Sequence, residues 1–339
     1  MIPAQANPSE RKSDMQTGVS ANCLKELNPK ENLCDKLHLI VHVSSFTDHR
    51  RNSQESSDMA TPSRRIITHP NGQTTHVFDD DFTDPWIPRE TIVIQHGFAR
   101  HGAFWYHWVP FLARRYRVIR RDARGHGRSS YPRPGDNYDY SVETVVGEII
   151  DTLDQLRLSK VHFLGESTSG FVGEILAAKH PERLHSLIIC SSPAYLPDAA
   201  LSLFSFGHSS WPAACRTLGS RGWAEALSKV PGTVSIPDPA YIQWWIDQVA
   251  LSTGEGLAGY AEFLSKADAR PYLEKIRVPM LILAPARSAA TKLEEQRAIQ
   301  AQVVNSQLVV IDGQGHEIYV EMAEECQKAV DTFLSGLSR

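Results

Sequence analysis

Apolar residues along this chain come in short blocks separated by longer stretches of mixed polarity, and the blocks predict the fold class. Ile66-Ile67-Thr68-His69 and Thr75-His76-Val77-Phe78 flank the turn Pro70-Asn71-Gly72 and read as a β-hairpin. Apolar runs at 91–95, 116–120, 161–164, 186–190, 280–284 and 307–311 have the length and continuity of strands buried on both faces. Helical periodicity fits near 101–114, 142–157, 169–180, 291–303 and 319–335. A hairpin followed by this alternation predicts an α/β fold: a mostly parallel sheet with helices on both faces.

The rhythm breaks between residues 193 and 273. That segment carries Phe204, Phe206, Trp211, Trp223, Tyr241, Trp244, Trp245, Tyr260 and Phe263. Aromatics so dense outside the strand–helix rhythm predict a helical cap over the strand ends, with its own core and a ligand pocket beneath it. The expected organisation is a core formed by 61–192 and 274–339, with the cap at 193–273 between them. Residues 1–60 are rich in Ser, Asn, Lys and Glu and read as a disordered extension, with one stray strand at 37–46.

Composition narrows the function classes. In 339 residues, 42% are hydrophobic and 22% charged, as in an ordinary globular protein. A net charge of −4 gives no electrostatic case for nucleic acid or an acidic membrane. Five scattered cysteines form no CxxC pair, so neither a metal site nor a disulfide framework is expected. No apolar run reaches membrane-spanning length, and the first residues lack the basic start and apolar core of a signal peptide. The last residues are not a peroxisomal tripeptide, and the expected location is the cytoplasm.

Chemistry concentrates in four segments. Gly165-Glu166-Ser167-Thr168-Ser169-Gly170 follows the apolar run 161–164 and opens a helix-compatible run. A strand, a sharp turn bearing a serine, and a helix form a nucleophile elbow, which lifts the hydroxyl above the sheet edge. Ser169 stands where this motif usually has glycine, and it is small enough to be tolerated. Gln95-His96-Gly97-Phe98 ends a strand in a turn whose Phe98 N–H can face the serine. With the N–H of Thr168 it would form an oxyanion hole, where losing one donor costs ~3 kcal/mol. His96 is expected to stabilise the turn, and His101 and His107 to be structural. Asp122-Ala123-Arg124-Gly125-His126-Gly127 is a glycine-rich loop lacking the Gly-Lys-Ser/Thr signature of a phosphate site; Asp122 and Arg124 are expected to order it. Asp312-Gly313-Gln314-Gly315-His316 ends the last strand and presents one histidine on a flexible loop, placed to act as general base for Ser167.

Together these motifs resemble the α/β-hydrolase superfamily over about residues 62–337, and most nearly the 3-oxoadipate enol-lactonase-like esterases and lactonases. The resemblance implies a serine nucleophile (Ser167), a histidine base (His316), an acidic partner, an oxyanion hole and a substrate-selecting cap. It also implies no cofactor and no metal. Serine rather than aspartate at 167 argues against epoxide hydrolases and haloalkane dehalogenases. One element departs from the pattern. Ser288 occupies the position where the family's acid is expected, and Cys190-Ser191-Ser192-Pro193, the alternative acid site, has no carboxylate. Glu294, Glu295 and Asp198 are the nearest candidates. Three readings follow: a hydrolase of a small to medium ester or lactone with a relocated acid, a slow serine–histidine dyad, or a non-hydrolytic member. The last includes a receptor-like binding protein; an acyltransferase is a further possibility.

Overall fold

The computed structural model describes residues 63–337 except 134 and 137. The expected extension at 1–60 and the strand at 37–46 lie outside the described residues. Eight strands form one sheet: β1 (Ser63–Thr68), β2 (Thr74–Asp80), β3 (Glu90–Gln95), β4 (Tyr116–Arg121), β5 (Val161–Glu166), β6 (Leu184–Cys190), β7 (Met280–Pro285) and β8 (Ser306–Ile311). Their order is β1-β2-β4-β3-β5-β6-β7-β8. The hairpin strands pair antiparallel, β2 pairs antiparallel with β4, and every other pair is parallel. Strands β3, β5 and β7 are buried along nearly their whole length, as parallel strands covered on both faces must be.

This order creates a crevice. From β3 the chain crosses to β4 on one side, whereas β5 leads on to β6 on the other. The loops leaving the carboxyl ends of β3 and β5 therefore diverge, and ligands bind in such gaps in open α/β sheets. Phe98 follows β3 and Ser167 follows β5, so both serine-site motifs sit at this switch point.

The helices largely follow the sequence pattern. They are α1 (Val109–Leu112), α2 (Val142–Gln155), α3 (Thr168–Lys179), α4 (Asp198–Ser205), α5 (Trp211–Ser228), α6 (Pro239–Val249), α7 (Gly254–Leu264), α8 (Leu293–Gln302), α9 (Ile318–Glu321) and α10 (Ala323–Gly336). Two expected helices come out differently. The stretch at 101–114 is a 3₁₀ segment, Gly102–Trp108, followed by the single turn α1. Trp105 leaves helical dihedrals there as it enters the core and stacks on Tyr319, with ring centroids 4.3 Å apart. The stretch at 319–335 divides at Met322, whose ψ of 45° separates α9 from α10. Helices α4 to α7 lie between β6 and β7 in sequence and account for the aromatic-rich segment. None of the described helices is long and apolar enough to cross a membrane.

Candidate active site

Ser167 occupies the sharp turn between β5 and α3 with φ 52° and ψ −124°. A non-glycine residue at such dihedrals is strained by ~1–3 kcal/mol and must be held there by its surroundings. Its N–H donates to the Cys190 carbonyl at 2.8 Å, and its carbonyl accepts from Gly170 N–H at 2.9 Å. A Cβ on Gly165 would come within 2.4 Å of the Ser169 carbonyl oxygen, so the close strand–helix approach requires glycine at 165. Ser169, the departure from the usual motif, is buried and donates its hydroxyl to the His96 carbonyl at 2.5 Å. The extra atoms that could have crowded the turn instead tie it to the β3 loop.

The β3 loop is held from two sides. His96 Nδ1–H donates to its neighbour Gly97's carbonyl at 2.7 Å, and Nε2 accepts the Ala123 N–H at 2.8 Å. Gly97 N–H donates to Glu166 Oε2 at 2.5 Å. Any Cβ at Gly97 would fall 2.5 Å from that oxygen and 2.8 Å from the Ser167 Cβ. Phe98 and Thr168 line the cavity with Ser167, and neither backbone N–H has a protein acceptor among the described residues. Asp122 orders the adjoining loop by accepting from Gly102 N–H at 2.7 Å and from Arg128 N–H at 3.1 Å, and it contacts His76 Nδ1 at 2.9 Å. Arg124 pairs with Glu148 at 2.5 Å. His107 Nε2 bonds the Tyr319 carbonyl at 2.8 Å. His96, His107, Asp122 and Arg124 thus have structural contacts, and no described cluster of His, Cys, Asp or Glu could hold a metal.

The loop after β8 brings His316 across the sheet edge. Its Nε2 lies 2.9 Å from Ser167 Oγ. Burial, and then the nearby Arg100 charge, lower its pKa to about 3, so the imidazole is neutral at physiological pH. On the far side, Nδ1 lies 3.1 Å from Ser288 Oγ, which also accepts the Ala290 and Thr291 N–H groups at 3.2 Å each.

The three expected acid candidates are not at this position. Glu295 turns back to accept the Lys292 N–H at 3.0 Å, closing the first turn of α8. Glu294 is exposed on the same turn, and Asp198 is exposed in the first turn of α4. Helix starts favour acidic side chains because free N–H groups point outward there. That local use engages Glu295, while Glu294 and Asp198 face solvent.

Two carboxylates not singled out by the sequence pattern lie closer. Glu166 is fully buried behind Ser167, with Oε1 3.8 Å from His316 Nε2. Glu317, next to His316, is fully buried; its Oε1 accepts from Arg100 Nη2 at 2.8 Å and from Trp245 Nε1 at 2.9 Å, and its Oε2 accepts from Tyr241 OH at 3.3 Å. Arg100 therefore joins the β3 loop to the β8 loop, while Trp245 and Tyr241 fasten α6 to the same group. A charged residue at the end of a buried strand was the one sequence signal for Glu166. The Arg100–Glu317 pair spans 217 residues and has no local signal.

Above Ser167 is a cavity of about 30 Å³, lined by Phe98, Arg100, Thr168, Phe204, Trp211, Trp223, Leu227, Thr233, Ala290 and His316. Of the aromatics between residues 193 and 273, Phe204, Trp211 and Trp223 thus line the cavity with Ser167. Phe98 packs edge-on against Trp211, with ring centroids 4.3 Å apart. The space suits about one water molecule.

Comparison with known proteins fits this geometry. A family model described as alpha/beta hydrolase fold matches residues 90–218, and one described as TAP-like protein matches 263–338. The 3-oxoadipate enol-lactonase 2 of Acinetobacter baylyi is 25% identical over 252 residues, covering 73% of this chain and 89% of its own. A putative carbamate hydrolase of a Caulobacter species is 24% identical over 78% of this chain and 98% of its own. Among solved structures, the enol-lactonase from Burkholderia xenovorans superposes with a TM-score of 0.69 at 24% identity, covering 78% of this chain and 98% of that one. This chain has the α/β-hydrolase fold and resembles the enol-lactonases, and its relatives support a hydrolase.

Proposed function

We propose that this α/β-hydrolase-fold chain is a serine hydrolase that cleaves an ester or lactone of a small to medium organic molecule through an acyl-enzyme. The observation that carries the reading is the strained Ser167, held 2.9 Å from the neutral His316 Nε2. Ser167 Oγ attacks the carbonyl carbon while its proton passes to His316. The Phe98 and Thr168 N–H groups receive the oxyanion, an arrangement in which each donor stabilises the transition state by ~3 kcal/mol. His316 returns the proton to the leaving oxygen, and water then repeats the sequence on the acyl group. The aromatic lining favours substrates with a compact apolar group. Because the cavity holds about one water, the wall formed by Phe204, Trp211 and Trp223 must move to admit substrate.

One observation favours a second reading. His316 Nδ1 faces a hydroxyl rather than a carboxylate, as expected of a binding protein with residual turnover. A fluorophosphonate probe and a panel of p-nitrophenyl esters separate the two. The hydrolase reading expects labelling and turnover that Ser167→Ala abolishes while the melting temperature is kept. Failure of wild-type protein to label or turn over would leave the binding protein. A Ser167→Ala variant retaining more than about one tenth of the turnover would remove Ser167 as nucleophile.

A further inference from the structure

A base held near pKa 3 is a weak proton acceptor, because a base works best when its pKa lies near the working pH. In a serine–histidine site a carboxylate on Nδ1 ordinarily compensates the imidazolium charge. Here Nδ1 has only Ser288, but the opposite side of the ring has Glu166. Its Oε2 is engaged by Gly97 N–H, whereas its Oε1 is buried without a hydrogen-bond partner, 3.8 Å from His316 Nε2.

We propose that Glu166 supplies the negative charge that the Ser288 position lacks, acting through His316 from the Nε2 side. This rests on the serine-hydrolase reading. During attack the Ser167 O–H bond breaks, the proton moves to Nε2, and the Oγ electron pair forms the bond to the carbonyl carbon. The carbonyl π pair becomes the oxyanion. At that moment the ring is positive and Oε1 faces the nitrogen that has just gained the proton. Glu166 exchanges no proton in the cycle; it is a positioning and charge-compensating residue. It also braces the oxyanion loop through Gly97, so one side chain coordinates both halves of the site.

The charged and titratable groups around Glu166 come from four elements. Arg100 follows β3, Cys190 ends β6, His316 and Glu317 follow β8, and Tyr319 lies on α9. Burial raises the Glu166 pKa to about 7, while the Arg100 charge and the Gly97 N–H act in the opposite direction. The compensating charge therefore appears as pH rises through about 7. His316 stays neutral over that range, so an activity limb near 7 belongs to Glu166 and not to the base.

The test is the second-order rate of Ser167 labelling by a fluorophosphonate between about pH 5.5 and 8.5, for wild type and Glu166→Gln. Glutamine keeps an acceptor for Gly97 N–H, so a purely bracing role survives the substitution. The expected wild-type rate rises through pH ~7. The glutamine variant is expected to be slower at pH ~8 by on the order of 10²- to 10³-fold and to lose the limb. Equal rates in both proteins, or a slower variant that keeps the limb, would overturn the proposal. A flat wild-type profile overturns it without any variant, which covers a glutamine protein that does not fold. Wild type that never labels removes the serine-hydrolase reading as well; labelling that is indifferent to Glu166→Gln removes only the role of Glu166.

Discussion

Replacing Ser288 by aspartate is expected to raise turnover. A hydroxyl can donate to or accept from Nδ1, so it serves either imidazole tautomer, whereas a carboxylate only accepts and holds the proton on Nδ1. That leaves the Nε2 lone pair directed at Ser167. With Nδ1 3.1 Å from the present oxygen, a charge placed there attracts the imidazolium by about 5 kcal/mol at an effective dielectric of ~20. Desolvating the new carboxylate offsets part of this. The Ala290 and Thr291 N–H groups already point at the position and would bond the carboxylate, which limits the offset. Ser288 is only half-buried, and aspartate lengthens its side chain by about one C–O bond of ~1.2 Å. A net gain of ~2–4 kcal/mol corresponds to roughly 30- to 1,000-fold in kcat. The assay is steady-state hydrolysis of a p-nitrophenyl ester by Ser288→Asp and wild type across pH, with KM expected to change little. The carboxylate also raises the His316 pKa, so activity of the variant should fall at acid pH where the wild-type base is still neutral. A folded variant with unchanged or lower kcat would refute the argument, since the charge would then be in place without effect on the base. In the Glu166→Gln background the gain should be larger, because the two carboxylates compensate the same charge.

Two further outcomes follow from buried charges away from the serine. Glu174 on α3 is fully buried with neither oxygen partnered, and burial raises its pKa well above 4.5. A carboxyl raised in the folded state contributes fully below its unfolded pKa and loses that contribution as pH rises. Glu174→Leu should therefore stabilise the fold at pH ~7, and by progressively less towards pH ~4.5, in urea unfolding; a pH-independent gain would count against a buried neutral acid. Glu317→Gln removes the counter-charge of buried Arg100, which costs ~3–5 kcal/mol, and should lower the melting temperature by on the order of 10 °C. An unchanged melting temperature would show that the pair does not hold the β3 and β8 loops together.

The parts of this protein that are written locally are legible in the chain alone. Strand blocks, the turn at 70–72 and the elbow at 165–170 each need only neighbouring residues, so the α/β architecture and the approach of Ser167 to His316 followed from them. Glycine in the elbow and before Phe98 could be anticipated because strand, helix and loop must approach within van der Waals contact there. The helix at 101–114 was not legible, because burial of Trp105 against Tyr319 overrides local periodicity. The acid was not legible either. Nearness in sequence pointed to Glu294, Glu295 and Asp198, but Glu295 closes the first turn of α8 and the other two are exposed. The carboxylate that reaches His316 is Glu166, and Glu317 pairs with Arg100; these are sequence neighbours of Ser167 and His316 whose side chains are enclosed only when the loops after β3, β5 and β8 come together. What a carboxylate does depends on its burial and on the charges it meets across the fold. Those are properties of the tertiary structure, set by segments up to 217 residues apart.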